Sequence, residues 1–242
     1  MILEPAFTYP DQLPGLLRRQ GYAVMSPRAV CELADSNIDE LMALRPSWDD
    51  LAPDAYLKDG GHYRRRRHSC FVLDGGKVVE APPRAHWQPV EYNALHGGME
   101  RWFEPIDHHV LQAPAWNKLL VALGEVSSDL KGEQPWFVEA HQFRIDTDGG
   151  IGRPTPEGAH RDGVDLVAVF LVAREAIKGG ETRVFESAGP AGQRFTLTQP
   201  WSLLLIDDER VIHESTPIQP LGAHGLRDTL VVTLRANAFQ GR

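Results

Sequence analysis

Pro156-Glu157-Gly158-Ala159-His160-Arg161-Asp162-Gly163 runs straight into Val164-Asp165-Leu166-Val167-Ala168-Val169-Phe170-Leu171-Val172. A Pro/Gly-rich loop therefore feeds a strand over Val164–Val172. Outward from it the same punctuation recurs. Gly, Pro and Asp clusters separate the short runs Trp136–Ile145, Thr182–Glu186, Arg194–Leu197, Trp201–Ile206, Val211–Ser215 and Thr229–Arg235, each read as a strand. Many short strands without alternating helices predict a sandwich or barrel rather than a doubly wound sheet.

The earlier part of the chain reads differently. Leu13 to Arg19 predicts a short helix ended by Gly21, with Tyr22-Ala23-Val24-Met25 as a strand. Ser26-Pro27 offers a cap followed by proline at the first helical position. Val30, Leu33, Ala34, Ile38, Leu41 and Met42 then recur at helical spacing up to Arg45-Pro46. Phe71-Val72-Leu73, Asp74-Gly75-Gly76 and Lys77-Val78-Val79 read as a hairpin, and His108 to Leu123 as a helix on the outside of a sheet. Helices first and strands later predict a mainly β (α+β) chain, a jelly-roll core buttressed by N-terminal and flanking helices. One domain over residues 1–242 is expected, with 1–60 as helical support and 70–236 as the core with its flanking helix.

Composition narrows the function. A chain of 242 residues with 42% hydrophobic content can bury a substantial core. The net charge of -8 argues against a general nucleic-acid or membrane-surface role. The 2 cysteines, Cys31 and Cys70, lack CxxC spacing, so reduced thiols in a cytoplasmic enzyme are expected. No signal-peptide pattern opens the sequence, and no apolar run has the length of a membrane span.

The chemistry sits in His160, Asp162, His213 and Arg227. Two imidazoles and one carboxylate can occupy one face of an iron(II) ion and leave the other open. His160 and Asp162 lie two residues apart at a strand mouth, where both side chains can converge, and His213 closes a later strand. Singly, each has a plain reading: a loop histidine beside a turn aspartate, or a strand-end histidine. Arg227 and Thr229 share one face of the apolar strand that follows. An arginine pointing inward there calls for an anion, whereas an ion pair with Asp165, Asp228 or Glu214 is the plain alternative. Together, in this order, the four residues predict a metal site with a carboxylate clamp beside it.

Other residues fit less well. His108 and His109 are adjacent on a helix and point apart. His62, His68, His86 and His96 have no partner at ligand spacing in the sequence. Arg64–Arg67 reads as a solvated strand or loop, with steering of an anionic substrate as the alternative. In Trp136–Ile145, Gln142 and Arg144 share one face and His141 with Phe143 the other. Gln142 and Arg144 are the expected substrate-binding pair. Trp87, Trp102 and Phe103 read as core, with a pocket wall as the alternative.

Pro156 to Gly163, Gly179-Gly180-Glu181-Thr182, Asp208 with His213, and Arg227-Asp228-Thr229 resemble the bacterial iron(II)/2-oxoglutarate dioxygenases related to L-isoleucine 4-hydroxylase. His141-Gln142-Phe143-Arg144 adds to the likeness, which covers roughly residues 60 to 236. The resemblance implies a double-stranded β-helix of cupin-like, jelly-roll form. It implies Fe(II) held by His160, Asp162 and His213, and 2-oxoglutarate held by Arg227 with help from Thr229. It also implies an O2-dependent hydroxylation of a free L-amino acid or similar small molecule, releasing succinate and CO2. A homodimer is compatible with the sequence, and no nucleic-acid or membrane partner is expected. Three other readings use the same residues: a nucleic-acid or other macromolecule demethylase with Arg64–Arg67 on phosphates, a zinc hydrolase, and a non-catalytic stress- or biofilm-related binding protein.

Overall fold

The structure is a computed structural model in which residues 2–241 are described. The chain opens with α1 (Leu13–Gln20), which ends at Gly21 in the left-handed conformation (φ 78°), and β1 (Tyr22–Met25). The helical periodicity that follows is divided in two. α2 (Pro27–Leu33) is capped by the Ser26 hydroxyl, which accepts from Ala29 N at 3.3 Å. α3 (Ile38–Met42) is capped anew by Asn37, which accepts from Glu40 N at 3.0 Å. The break falls at Asp35, whose φ of 44° no helix accommodates.

β2 (Arg64–Asp74) and β3 (Lys77–Glu80) form the expected hairpin over Gly75-Gly76, both with positive φ. The single helix expected over His108–Leu123 is a short α4 (His108–Leu111) and a long α5 (Pro114–Lys131). Pro114 sets the division, because it fits the first helical position and not an interior one. The strand-rich part comprises β4 (Trp136–Asp146), β5 (Leu166–Glu175), β6 (Ile177–Gly179), β7 (Thr182–Glu186), β8 (Gly192–Phe195), β9 (Leu203–Asp207), β10 (Val211–Ser215), β11 (Ile218–Pro220) and β12 (Leu226–Ala236).

All pairings are antiparallel. The major sheet has seven strands in the order β1-β9-β5-β12-β4-β2-β3, and a smaller sheet, β10-β7-β8, faces it. A two-stranded β11-β6 ribbon completes the jelly-roll core. β1 comes from the expected helical support, yet it pairs with β9 and forms one edge of the main sheet.

The alternation along each strand separates two cores. On the outer face of the major sheet, Val138, Ala140, Leu166, Ala168, Phe170, Leu230, Val232 and Leu234 pack with Trp116, Leu119, Leu120 and Leu123 of α5. On the inner face, Val167, Leu171, Leu204 and Ile206 meet Val184, Phe195 and Val211 from the smaller sheet. Between Asp228 and Thr229 the register against β5 slips: Thr229 lies opposite Leu171 and Asp228 opposite Ala173, so Val172 is one residue too many. That bulge turns Arg174 to the inner face, directly across from Arg227. Among the described residues, no helix is long and apolar enough to cross a membrane.

Candidate metal and co-substrate site

A cavity opens between the two sheets, and His160, Asp162, His213, Arg227 and Thr229 all line it. His160 is held by an isolated bridge to His213: each backbone N–H donates to the other's carbonyl, at 3.0 and 2.9 Å. This sets the two rings side by side, with centroids 4.7 Å apart. His160 Nδ1 is bonded to the Gly158 carbonyl at 2.9 Å, which makes it the protonated nitrogen and leaves Nε2 for the cavity. Asp162 lies between the imidazoles. One carboxylate oxygen is 3.7 Å from His160 Nε2 and the other 3.8 Å from His213 Nε2. Those separations are too long for hydrogen bonds and suit donor atoms grouped round one cation. The three ligand atoms lie within 4.8 Å of one another.

The electrostatics agree with a cation site. Burial alone would raise the Asp162 carboxyl, but His160 and His213 hold it well below the usual carboxylate range. Burial would lower His160, but Asp162 and Glu157 outweigh it and raise the imidazole to about 10. His213, lowered to about 4 by burial and by His160, is a neutral imidazole. The donor set of two imidazoles and a carboxylate therefore fits iron(II), and His160 would have to give up its Nε2 proton to hold it.

The loop that carries Asp162 is fixed from below. The Asp208 carboxylate accepts from three successive backbone N–H groups, those of Asp162 (3.0 Å), Gly163 (2.7 Å) and Val164 (3.2 Å). From the side, Gln88 Nε2 donates to Asp162 Oδ1 at 3.1 Å, and Gln240 Nε2 donates to the carbonyls of Asp162 and Gly163. Gln88 and Gln240 carry no sequence signal, since both reach the site from segments remote in the chain.

Arg227 is 5% exposed and, among the described residues, has no carboxylate partner within ion-pair distance. The ion pair with Asp165, Asp228 or Glu214 considered from the sequence is not formed. Asp228, on the opposite face, binds Arg144 instead. Burial and the neighbouring Arg174 lower the Arg227 guanidinium to about 10. A carboxylate bound there relieves both costs.

Several expectations are corrected. Gln142 and Arg144 do not line the cavity; Glu139, His141, Phe143 and Ile145 on the alternate face of β4 do. Gln142 is fully buried on the outer face, where it donates to Ser47 Oγ at 2.7 Å, and Arg144 holds Asp228 and Asp49. The reason is parity: the outer face of β4 receives the turn Arg45–Trp48 from the N-terminal segment. Arg64–Arg67 is not a solvated run. Arg64, Arg66 and Arg67 are buried, and Arg67 is spent on Asp107. His68 and His86 do have partners. With His141 they gather round Glu139, which binds His68 at 2.9 Å and His86 at 2.7 Å. Trp87, Trp102 and Phe103 are not in the cavity wall; Trp102 is 57% exposed, and Phe103 lies on the Arg66 guanidinium.

A mainly antiparallel jelly roll with a His-Asp-His cluster and a buried arginine at its mouth defines a class, the non-haem iron oxygenases. Residues 45–233 match the 2OG-Fe dioxygenase family, and the chain belongs to that family. It is accordingly a dioxygenase that uses Fe(II), 2-oxoglutarate and O2.

Among solved structures, the chain is similar to a bsmA homolog from Methylobium petroleophilum PM1, at 52% identity and a TM-score of 0.93, over 98% of this chain and 97% of that one. IDO from Bacillus thuringiensis shares the fold at 17% identity and a TM-score of 0.77, over 98% and 100% of the two chains. The Fe(II)/α-ketoglutarate-dependent dioxygenase TqaL does so at 18% identity and a TM-score of 0.71, over 96% and 91%. No curated protein matches the sequence.

Proposed function

We propose that the protein hydroxylates an unactivated C–H bond of a free L-amino acid or similar small molecule, in the manner of the L-isoleucine 4-hydroxylase relatives that its motifs resemble. His160, Asp162 and His213 hold the iron, and Arg227 with Thr229 holds the far carboxylate of 2-oxoglutarate. The observation that carries this reading is the convergence of the two imidazole Nε2 atoms on Asp162, in the same cavity that Arg227 lines. When bound, Fe(II) with 2-oxoglutarate and O2 supplies the oxidant for C–H hydroxylation, and succinate and CO2 are released.

The protein's part is placement. Arg227 offers a bidentate fork that fixes which end of the keto acid faces the triad. Thr229 lies two residues on, on the same inner face of β12. Gln88 holds Asp162 in one rotamer, and Glu157, 3.5 Å from His160 Nε2, borders the triad. Phe143, Val169 and Val231 add apolar wall among the cavity's polar and charged side chains, the mixture that small-molecule sites use. The demethylase alternative needs surface arginines for phosphates, and the burial of Arg64, Arg66 and Arg67 removes its footing.

We read the chain as a single cytoplasmic domain, with the homodimer as the assembly to check by light scattering. The test of function is a screen of the common L-amino acids for succinate release with Fe(II) and 2-oxoglutarate. One or a few aliphatic amino acids should raise release well above the rate without substrate. A uniform rate across the whole panel overturns the amino-acid reading.

A further inference from the structure

Three arginines line the cavity wall formed by β2 and the segment that crosses it, and the metal triad and Arg227 leave them unexplained. Arg64 and Arg66 are alternate residues of β2, opposite Ile145 and Phe143 of β4. Arg101 is brought beside them by its backbone bridge to His86. They are 6%, 3% and 2% exposed. A guanidinium stripped of water is stable only with acceptors and a counter-charge.

The supply falls short of the demand. Arg64 binds Asp54 at 2.7 Å, and among the described residues neither Arg66 nor Arg101 has a carboxylate partner at ion-pair distance. Arg66 donates to His141 Nδ1 at 3.0 Å and lies on the rings of Phe103 and Phe143, at 4.1 and 4.6 Å. Arg101 donates to Gln88 Oε1 at 2.9 Å. Arg64 Nη2, Arg66 Nε and Arg101 Nε are buried without any acceptor. The other carboxylate on this wall, Glu139, is taken by His68 and His86. Three guanidinia thus face two carboxylates, Asp54 and Glu139, while Glu157 lies against His160 on the metal side. A metal ion among His68, His86, Glu139 and His141 does not answer this, because His141 Nδ1 already accepts from Arg66 and a second cation would add to the excess.

We infer that this wall is an anion subsite that holds the carboxylate of the substrate, with Arg66 and Arg101 as its specificity-determining residues. The inference rests on the reading of the cavity as the seat of a small-molecule hydroxylation. A planar guanidinium sandwiched by two rings is fixed before the ligand arrives, which favours a planar carboxylate. A substrate anchored there lies in the same cavity as His160, Asp162 and His213, with its carbon chain between.

Thermal-shift titration of the metal-free protein reads binding without turnover. The probes are the common L-amino acids and plain aliphatic carboxylic acids, each beside its carboxamide. The stabilising ligands should be acids, with their amides weaker by about 10- to 100-fold. R66Q and R101Q should weaken the same acids by a similar factor. They should leave the 2-oxoglutarate titration of the iron-loaded protein unchanged, which also shows that they fold. R66K and R101K, which keep the charge, should recover part of the binding and serve if the glutamine variants are insoluble. The subsite is refuted if amides bind as well as acids, or if no acid on the panel binds. It is refuted equally if the variants shift only the 2-oxoglutarate titration, which would assign the arginines to the co-substrate. Binding of plain acids but of no amino acid would uphold the subsite while removing the amino-acid reading.

Discussion

Asp208 holds Asp162 through the backbone rather than through its side chain: one buried carboxylate gathers three consecutive N–H groups, beginning with that of Asp162. A lone carboxylate on a glycine-flanked loop would otherwise be free to turn away from the two imidazoles. Replacing Asp208 by Ala should weaken metal binding by about 10- to 100-fold, the usual effect of losing a support behind a metal ligand. Competition with a metal-sensitive dye measures this, and unchanged affinity would show that the loop holds itself.

Asp162→Ala should abolish both stoichiometric iron binding and turnover, because two imidazoles alone leave the cation without its anionic ligand. Full-rate consumption of 2-oxoglutarate by that variant would refute the ligand assignment.

Arg227→Ala should raise the Kd for 2-oxoglutarate by about 10- to 100-fold, the cost of a lost charge-assisted pair, with metal affinity retained. Arg227→Lys should fall between, since it keeps the charge and loses the fork. A co-substrate titration on the iron-loaded protein decides it.

Acid should destabilise the metal-free protein well above the carboxylate range. Burial lowers His86 from 6.5 to about 3, and burial with nearby Arg64 lowers His96 from 6.5 to about 4. Below about pH 6.5 the unfolded chain takes up these protons and the folded chain does not, so the contribution of His86 and His96 to stability is full above that pH and falls from there towards about 4. Each such group contributes a slope of about 1.4 kcal/mol per pH unit. Melting curves between pH 7.5 and 4.5, with His96→Gln flattening the decline, provide the check.

Trp48 ties the N-terminal segment to the strand under the site. It is fully buried, stands edge-on to Trp201 with centroids 6.3 Å apart, and donates from Nε1 to the Thr229 carbonyl at 3.2 Å. Trp48→Ala should cost about 3–5 kcal/mol and Trp48→Phe much less, as measured by urea denaturation.

The gathering of His160, Asp162 and His213 and the inward course of Arg227 and Thr229 were legible because their signal is local: His160 and Asp162 share a loop, and Arg227 and Thr229 share a strand face. The jelly roll was legible too, from short strands at regular intervals. What stayed hidden depends on which face of a strand turns inward. Alternation along β4 separates Gln142 and Arg144 from His141 and Phe143, yet it does not say which pair meets the cavity. The outer face of the major sheet is mostly apolar, but at Gln142 and Arg144 it is lined with polar groups that answer Ser47, Asp49 and Asp228. Arg66 was obscured because the Arg64–Arg67 run carries the composition of a solvated surface, and Arg101 because it reaches the wall through a single backbone bridge to His86. His68, His86 and Glu139 meet only through strand pairing and a crossing loop.

The supernumerary Val172 sets more than a local kink. Were the intact β5 to pair with β12 without the bulge, Val172 would stand opposite Asp228 and Ala173 opposite Arg227, which would swing Arg174 across to the helix-packed side and strip Arg227 of its cationic neighbour. The charge beside Arg227 is therefore set by where a strand outside the His-Asp-His cluster takes up its extra residue.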